Sequence, residues 1–308
     1  MRRSQMTPAA TVVMLAALAL FAGACGSSSS KSGGSASTTT STPGGPAPLT
    51  ITAGDYAFEG VPAKIPAGVV NMTFVNKGTV EHEMGFVKVT PGTTPKVAFA
   101  ALGKSINGGP FPAFLLAANG VHNTKPGKTA VTKFNLTPGD WIAFCTDTGV
   151  AGSTKDGKPH FLRGMYKTVT VTGSGGNVAP TEAATITAHD YGFALSGLHS
   201  GAQNIAFENT GPTQWHFADL NVFPKGTTVA QAQAAIPKLL ASQGPPPAGV
   251  PAPEEVVSSQ IASPGNGNTF AATLESGRTY VLLCFVSDKA GGPPHAIAHQ
   301  MYKVFTIA

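Results

Sequence analysis

The sequence predicts an all-β chain, two Greek-key β-sandwiches in tandem, each carrying a helical or loop insertion. Three observations lead there. Residues 49–172 and 184–308 read as two copies of one unit, and a repeat of about 130 residues is a duplicated domain and not a solenoid. Within each copy the apolar residues mostly alternate, as in strands with one buried face. The chain is also rich in Gly and Pro, with 37 and 25 in 308 residues, and only 11% of it is charged. That composition suits sandwiches with long loops better than helical bundles.

In chain order, residues 1–25 read as an export signal. Arg2 and Arg3 form a basic start, and Ala9 to Phe21 form an apolar run too short for an ordinary membrane span. The run closes on Phe21-Ala22-Gly23-Ala24-Cys25, which resembles a bacterial lipobox. The resemblance implies cleavage before Cys25, lipid on its thiol, and a protein held at the outer face of the cytoplasmic membrane. Residues 26–48 are a Ser/Thr/Gly/Pro tract with too few apolar groups for a core. They read as a flexible tether with a reach of roughly 25–30 Å. Removing Arg2 and Arg3 lowers the formal charge from +5 to about +3, and no basic stripe interleaves with aromatics, so nucleic acid is not an expected partner.

The first sandwich is assigned to residues 49–173, a linker to 174–182 and the second sandwich to 183–308. The copies align through Ile51-Thr-Ala-Gly-Asp-Tyr-Ala-Phe58 with Ile186-Thr-Ala-His-Asp-Tyr-Gly-Phe193, and through Asn71 to Gly78 with Asn204 to Gly211. Ile51–Phe58, Val69–Asn76, Phe86–Val89 and Thr168–Val171 are predicted strands. Ala-rich segments at Thr94–Leu102, Phe111–Ala118 and Val229–Ser242 are predicted helices. The Pro-rich stretch Gly244–Pro253 is predicted to be an exposed loop.

Both copies carry the same chemistry in the same order. An aromatic strand leads into Cys145, and His160 and Met165 follow; another leads into Cys284, with His295 and Met301 after it. Met-Tyr-Lys is identical in the two. Each copy also has an earlier histidine, His82 or His216, just past a strand that ends in Asn-x-Gly. A thiol, two imidazoles and a thioether form a soft donor set that suits copper. The alternatives are a disulfide between Cys145 and Cys284 in an oxidising compartment, or two inert buried thiols. His122, His189 and His199 match no histidine in the other copy and are expected at surface or loop positions.

These residues closely resemble the cupredoxin, or blue copper, family. Its plastocyanin-like members share the Asn-x-Gly…His segment, the aromatic strand ending in Cys, and a Pro-His-x₄-Met ending. The resemblance implies one type 1 copper site per unit: His82, Cys145, His160 and Met165 in the first, and His216, Cys284, His295 and Met301 in the second. His299 lies between His295 and Met301, so either histidine is open as the ligand there. The loops are longer than in the small family members, with fourteen residues between Cys145 and His160 and ten between Cys284 and His295.

The implied function is an extracytoplasmic electron carrier that serves a redox partner protein the sequence does not name. Copper storage or delivery, and a metal-free envelope protein of the same fold, are the alternatives. No His-x-His pair accompanies the eight histidines, so no copper oxidase or reductase activity is expected and the chain is read as a non-enzyme.

Overall fold

A computed structural model describes residues 47–150, 158–242 and 245–308. The export signal, Cys25 and nearly all of the tether lie outside the described residues. The first half contains β1 (Ala47–Gly54), β2 (Ala57–Glu59), β3 (Lys64–Pro66), β4 (Gly68–Asn76), β5 (His82–Val89), α1 (Pro95–Ile106), β6 (Leu115–Thr124), β7 (Thr129–Leu136), β8 (Gly139–Phe144) and β9 (Tyr166–Thr172). The second half contains β10 (Ala184–His189), β11 (Gly192–Ser196), β12 (Gly201–Asn209), β13 (Asp219–Val222), α2 (Val229–Ala241), β14 (Glu254–Ser258), β15 (Gly267–Leu274), β16 (Thr279–Leu283), α3 (His295–Ala298) and β17 (Tyr302–Thr306).

Each half packs two sheets face to face. In the first, β2-β1-β4-β7 faces β6-β5-β8-β9-β3; in the second, β11-β10-β12-β15 faces β14-β13-β16-β17. Apart from β3, which adds a parallel edge to β9 in the first half only, the orders correspond strand for strand, down to the parallel pairs β1–β4 and β10–β12, in which Ile51 lies opposite Phe74 and Ile186 opposite Phe207. Alternate residues of the inward faces fill the first core, among them Ile51, Phe74, Phe86 and Trp141, all 2% exposed or less.

The halves are not beads on a string. β7 and β15, equivalent strands, meet antiparallel at Phe134 and Asn268, so one eight-stranded sheet runs through both sandwiches. Equivalent edges meeting antiparallel is the signature of an isologous two-fold contact, here inside one chain. Buried amides satisfy the junction. Asn268 donates to the Asn119 side-chain oxygen at 3.1 Å, and Asn119 donates to the Gly267 carbonyl at 2.9 Å. A shared apolar cluster joins Val87, Phe99 and Phe144 of the first half to Phe207, Phe270 and Tyr280 of the second.

Two predicted elements differ. Phe111–Ala118 is not helical: Pro112 accepts a turn hydrogen bond from Leu115, and the chain then enters β6. The open edge of β5 offers this segment a strand partner, and Gly120, at φ +143°, has a conformation no helix contains. Ile51–Phe58 is not one strand but the hairpin β1–β2, turned at Asp55-Tyr56 with Tyr56 in the left-handed region. The other two helices form where expected. α1 starts on the Thr94 cap with Pro95 in its first turn, and α2 starts on a Thr228/Gln231 capping box. The residues of the Pro-rich stretch from 245 to 249 are exposed.

Candidate metal centres

The early histidine of each copy is placed by a buried asparagine. Asn76, at the end of β4, donates to the carbonyls of Val80 and Thr124 at 2.8 and 2.7 Å and accepts from the Gly78 amide. Asn209 repeats this with Gln214, Ala262 and Gly211. The turn so fixed delivers His82 and His216 into the sandwich interior, each 0% exposed. A side chain at Gly78 would stand 2.7 Å from His82 Nε2, so the turn needs glycine there.

The late ligands are placed by backbone hydrogen bonds that are the same in both halves. The Cys145 amide donates to the Met165 carbonyl, the Phe161 amide to the Cys145 carbonyl, and the Met165 amide to the His160 carbonyl. Cys284, Ala296, Met301 and His295 repeat all three. A single helical turn, His160–Arg163 or His295–Ala298, presents the second imidazole. The chain then reverses through a left-handed residue, Gly164 at φ +100° or Gln300 at φ +53°. The long Cys-to-His loops therefore leave the ligand frame unchanged. The His160 amide donates to the Asp147 carbonyl at 2.8 Å.

In the first centre, His82 Nδ1 and His160 Nδ1 are 3.1 Å apart and lie 3.9 and 3.4 Å from Cys145 Sγ. In the second, His216 and His295 are 3.2 Å apart at Nδ1 and lie 3.7 and 3.5 Å from Cys284 Sγ. All six residues are 0% exposed. A point equidistant from the three atoms of either triangle lies about 2.0 Å from each, close to the ~2.0–2.3 Å of metal–imidazole and metal–thiolate bonds. Met165 and Met301 are fully buried in the same clusters as Cys145 and Cys284, bonded to them through the backbone.

The remaining imidazole nitrogens are turned to oxygen. His160 Nε2 lies 2.6 Å from the Gly149 carbonyl, which makes it the N–H and leaves Nδ1 as a lone pair. His216 Nε2 meets Asp190 Oδ1 at 3.1 Å. His82 Nε2 lies 3.6 Å from Asp55, and His295 Nε2 lies 3.3 Å from Asp288, neither aligned as a hydrogen bond. Outer carboxylates of this kind fix the ring and raise its basicity toward a metal.

Both thiols and three of the imidazoles are shifted toward their neutral forms. Burial lowers the pKa values of His82 and His216, and burial followed by the neighbouring His216 lowers that of His295 to about 4. Burial pushes the Cys284 thiol up to about 12, and burial and Glu83 push Cys145 up as well. Such a set is short of one cation: a metal there would replace the thiol proton and gain two preformed imidazoles and a thiolate.

Both halves have the cupredoxin-like fold. Their two His/Cys/His groups fit blue copper sites, and copper is the cofactor these donors suit. No protein-family model and no curated protein matches the chain. Among solved structures, a dithionite-reduced auracyanin from Roseiflexus castenholzii is 24% identical over 42% of this chain and 100% of its own, at a TM-score of 0.29. A structure described as a multicopper oxidase is 13% identical, covering 85% of this chain and 88% of its own, at 0.25. A copper nitrite reductase from Nitrosomonas europaea is 15% identical, covering 86% and 94%, at 0.25.

The expectation of a non-enzyme is corrected here, because structures described as oxidase and reductase are among those matched across most of the chain. The criterion itself was too narrow. A His-x-His pair detects only ligands adjacent in sequence, whereas His82 and His160 meet here across 78 residues.

The donor triangle of the second cupredoxin-like domain takes His295. His299 lies outside it, bonded to Asp288 at 2.9 Å and stacked on Tyr191. Cys145 and Cys284 are free thiols in separate centres, not a disulfide. His189 and His199 are exposed as expected, whereas His122 is only partly exposed and lies within a strand, not a loop. It sits half-buried in β6 against Phe270, and burial lowers its pKa to about 4. Of the aromatic residues beside the two cysteines, Trp141, Phe144 and Tyr280 are buried, while Phe285 is 42% exposed.

Sequence reasoning missed the acidic and aromatic residues around the ligands. Asp55 and Asp190 back the early histidines, and Tyr56 and Tyr191 set ring edges against His160 and His295 at 5.1 and 5.2 Å. The signal was present, since Asp-Tyr recurs in both copies of the first aligned segment. Asp190→Ala is expected to weaken copper binding by about 10–100-fold at the second centre alone. Competition titration in a Cys145→Ser background, where only the second centre keeps its thiolate, measures this.

Proposed function

We propose that the protein is an exported electron carrier with one type 1 copper centre in each cupredoxin-like domain, tethered to the membrane by lipid on Cys25 and serving a redox partner protein. The observation that carries this reading is the pair of buried Cys/His/His triangles, each sized for a metal and backed by carboxylates. Copper bound there supplies a one-electron Cu(II)/Cu(I) couple. The protein's own part is to hold the donors rigid. Both histidines and the cysteine sit on strand ends or a single hydrogen-bonded turn, so the ligand frame has little freedom to rearrange between oxidation states. Full burial excludes water from the metal position.

A reversible redox titration tests the reading. The copper-loaded chain should take up and release two electrons at constant copper content. Copper that leaves on reduction, or passes to a chelating acceptor protein while the electrons do not cycle, would favour storage or delivery.

The membrane part of the proposal rests on Arg2, Arg3, the apolar run and Cys25. Cys25→Ala should release the protein from the membrane or leave it unprocessed, as read by cell fractionation and mass of the N-terminal peptide. A wild-type protein that stays membrane-bound with an unmodified Cys25 contradicts it.

A further inference from the structure

One contact of the first centre crosses between the two halves and is not repeated at the second. Next to the ligand His82 stands Glu83, whose carboxylate accepts from the amide and the hydroxyl of Thr146, the residue after the ligand Cys145. Its other oxygen accepts from Gln260 Nε2 at 2.7 Å. Gln260 belongs to the second half, and its amide group is itself fixed from several sides. It donates to the Val121 carbonyl at 3.1 Å, its side-chain oxygen accepts from the Ile261 amide, and its backbone amide donates to Asn268. In the second centre Phe217 follows His216 and offers no such acceptor. The pseudo-two-fold makes the asymmetry plain. His82 pairs with Thr124 and His216 with Ala262, so His122, two residues before Thr124, holds the place that Gln260 holds before Ala262.

We infer that the first centre is a two-domain site: Gln260 of the second half is a positioning residue that acts through Glu83 on Thr146 and so on the Cys145 thiolate, a side-chain clamp with no counterpart at the second centre, which the first half meets instead through the backbone of Gly108 and Phe111 on the Cys284–His295 loop and the Phe111 ring on Trp215. This deepens the copper reading and rests on it for the metal readouts. Physically, a carboxylate held by three donors is a stiff clamp. Removing the Gln260 donor frees it to leave Thr146 for water, and the peptide that follows Cys145 loses its anchor. Outer-shell contacts of this kind usually affect metal affinity by about 10–100-fold.

The test uses the full chain. With Cys284→Ser only the first centre has a thiolate, and with Cys145→Ser only the second. Gln260→Ala and Glu83→Gln should each weaken copper at the first centre by about tenfold and shift its thiolate band. The double variant should be no worse than the weaker single, since both act on one clamp. The second centre should keep its affinity and band in Glu83→Gln. A metal-free readout separates this inference from the copper reading. In Cys25→Ala, Cys284→Ser protein, alkylation of Cys145 should accelerate on Gln260→Ala. If the parent shows no copper band but alkylation accelerates, the copper reading fails and the clamp stands. Unchanged alkylation and affinity at the first centre, additive effects in the double variant, or equal losses at both centres would overturn the clamp.

Discussion

Cys145→Ser should remove the thiolate-to-copper band of the first centre and leave that of the second, and Cys284→Ser should do the reverse. Each single variant is expected to keep roughly half of the parent absorption, and the double variant essentially none. The cysteine is the strongest donor of its triangle and the sole source of that transition, whereas a long axial methionine is weak. The serine is close in size and leaves the backbone bonds of Cys145 to Met165 and Phe161 in place, so loss of colour without loss of fold is the expected pairing. Met165→Leu should therefore keep the band and raise the potential, because losing an axial donor destabilises Cu(II) more than Cu(I). Absorption and circular dichroism on the same samples decide this. Colour that survives in Cys145→Ser, Cys284→Ser protein would remove the thiolate from the account.

Copper affinity should rise about tenfold per pH unit from below neutrality upward, with one proton released per centre. The sign follows from the donors. The thiols are protonated at neutral pH, Cys284 with a pKa of about 12 and Cys145 also raised, so each must lose its proton to bind. His82, His216 and His295, all shifted down, contribute none there. Below about pH 4, the value for His295, protons begin to compete for the imidazole too, and the second centre should lose copper more steeply. Copper titration followed with a pH indicator, repeated in buffers of different ionisation enthalpy, counts the protons. Two or three per centre at pH 7 would mean that the imidazoles start out charged.

Much of this was legible from the residues. The order of His82, Cys145 and His160, repeated in the second copy, named the residues that the structure brings together in two triangles, because each follows a local signal: Asn-x-Gly before the early histidine, an aromatic strand before the cysteine, proline before the late histidine. His295 over His299 was not legible. That choice is made by the Met301 amide bonding to the His295 carbonyl, which pulls the turn tight and leaves His299 outside with Asp288. The joined sheet was not legible either. β7 and β15 each look like an ordinary edge strand, and nothing local marks Phe134 and Asn268 as partners across the two copies. The same holds for Gln260, which reaches Glu83 from 177 residues away. The error at Phe111–Ala118 has a local cause: alanine-rich composition favours a helix, and strand pairing with β5 overrides it.

The central claim is that each half holds copper by one thiolate and two imidazoles. Copper-edge X-ray absorption on the fully loaded chain, with copper counted per chain, tests it most directly. Two coppers per chain are predicted, each with two nitrogens at roughly 2.0 Å and one sulfur at roughly 2.2–2.3 Å, close to the metal–nitrogen and metal–sulfur lengths of such ligands. Copper bound by nitrogen and oxygen with no short sulfur, or no stoichiometric copper at all, would contradict it.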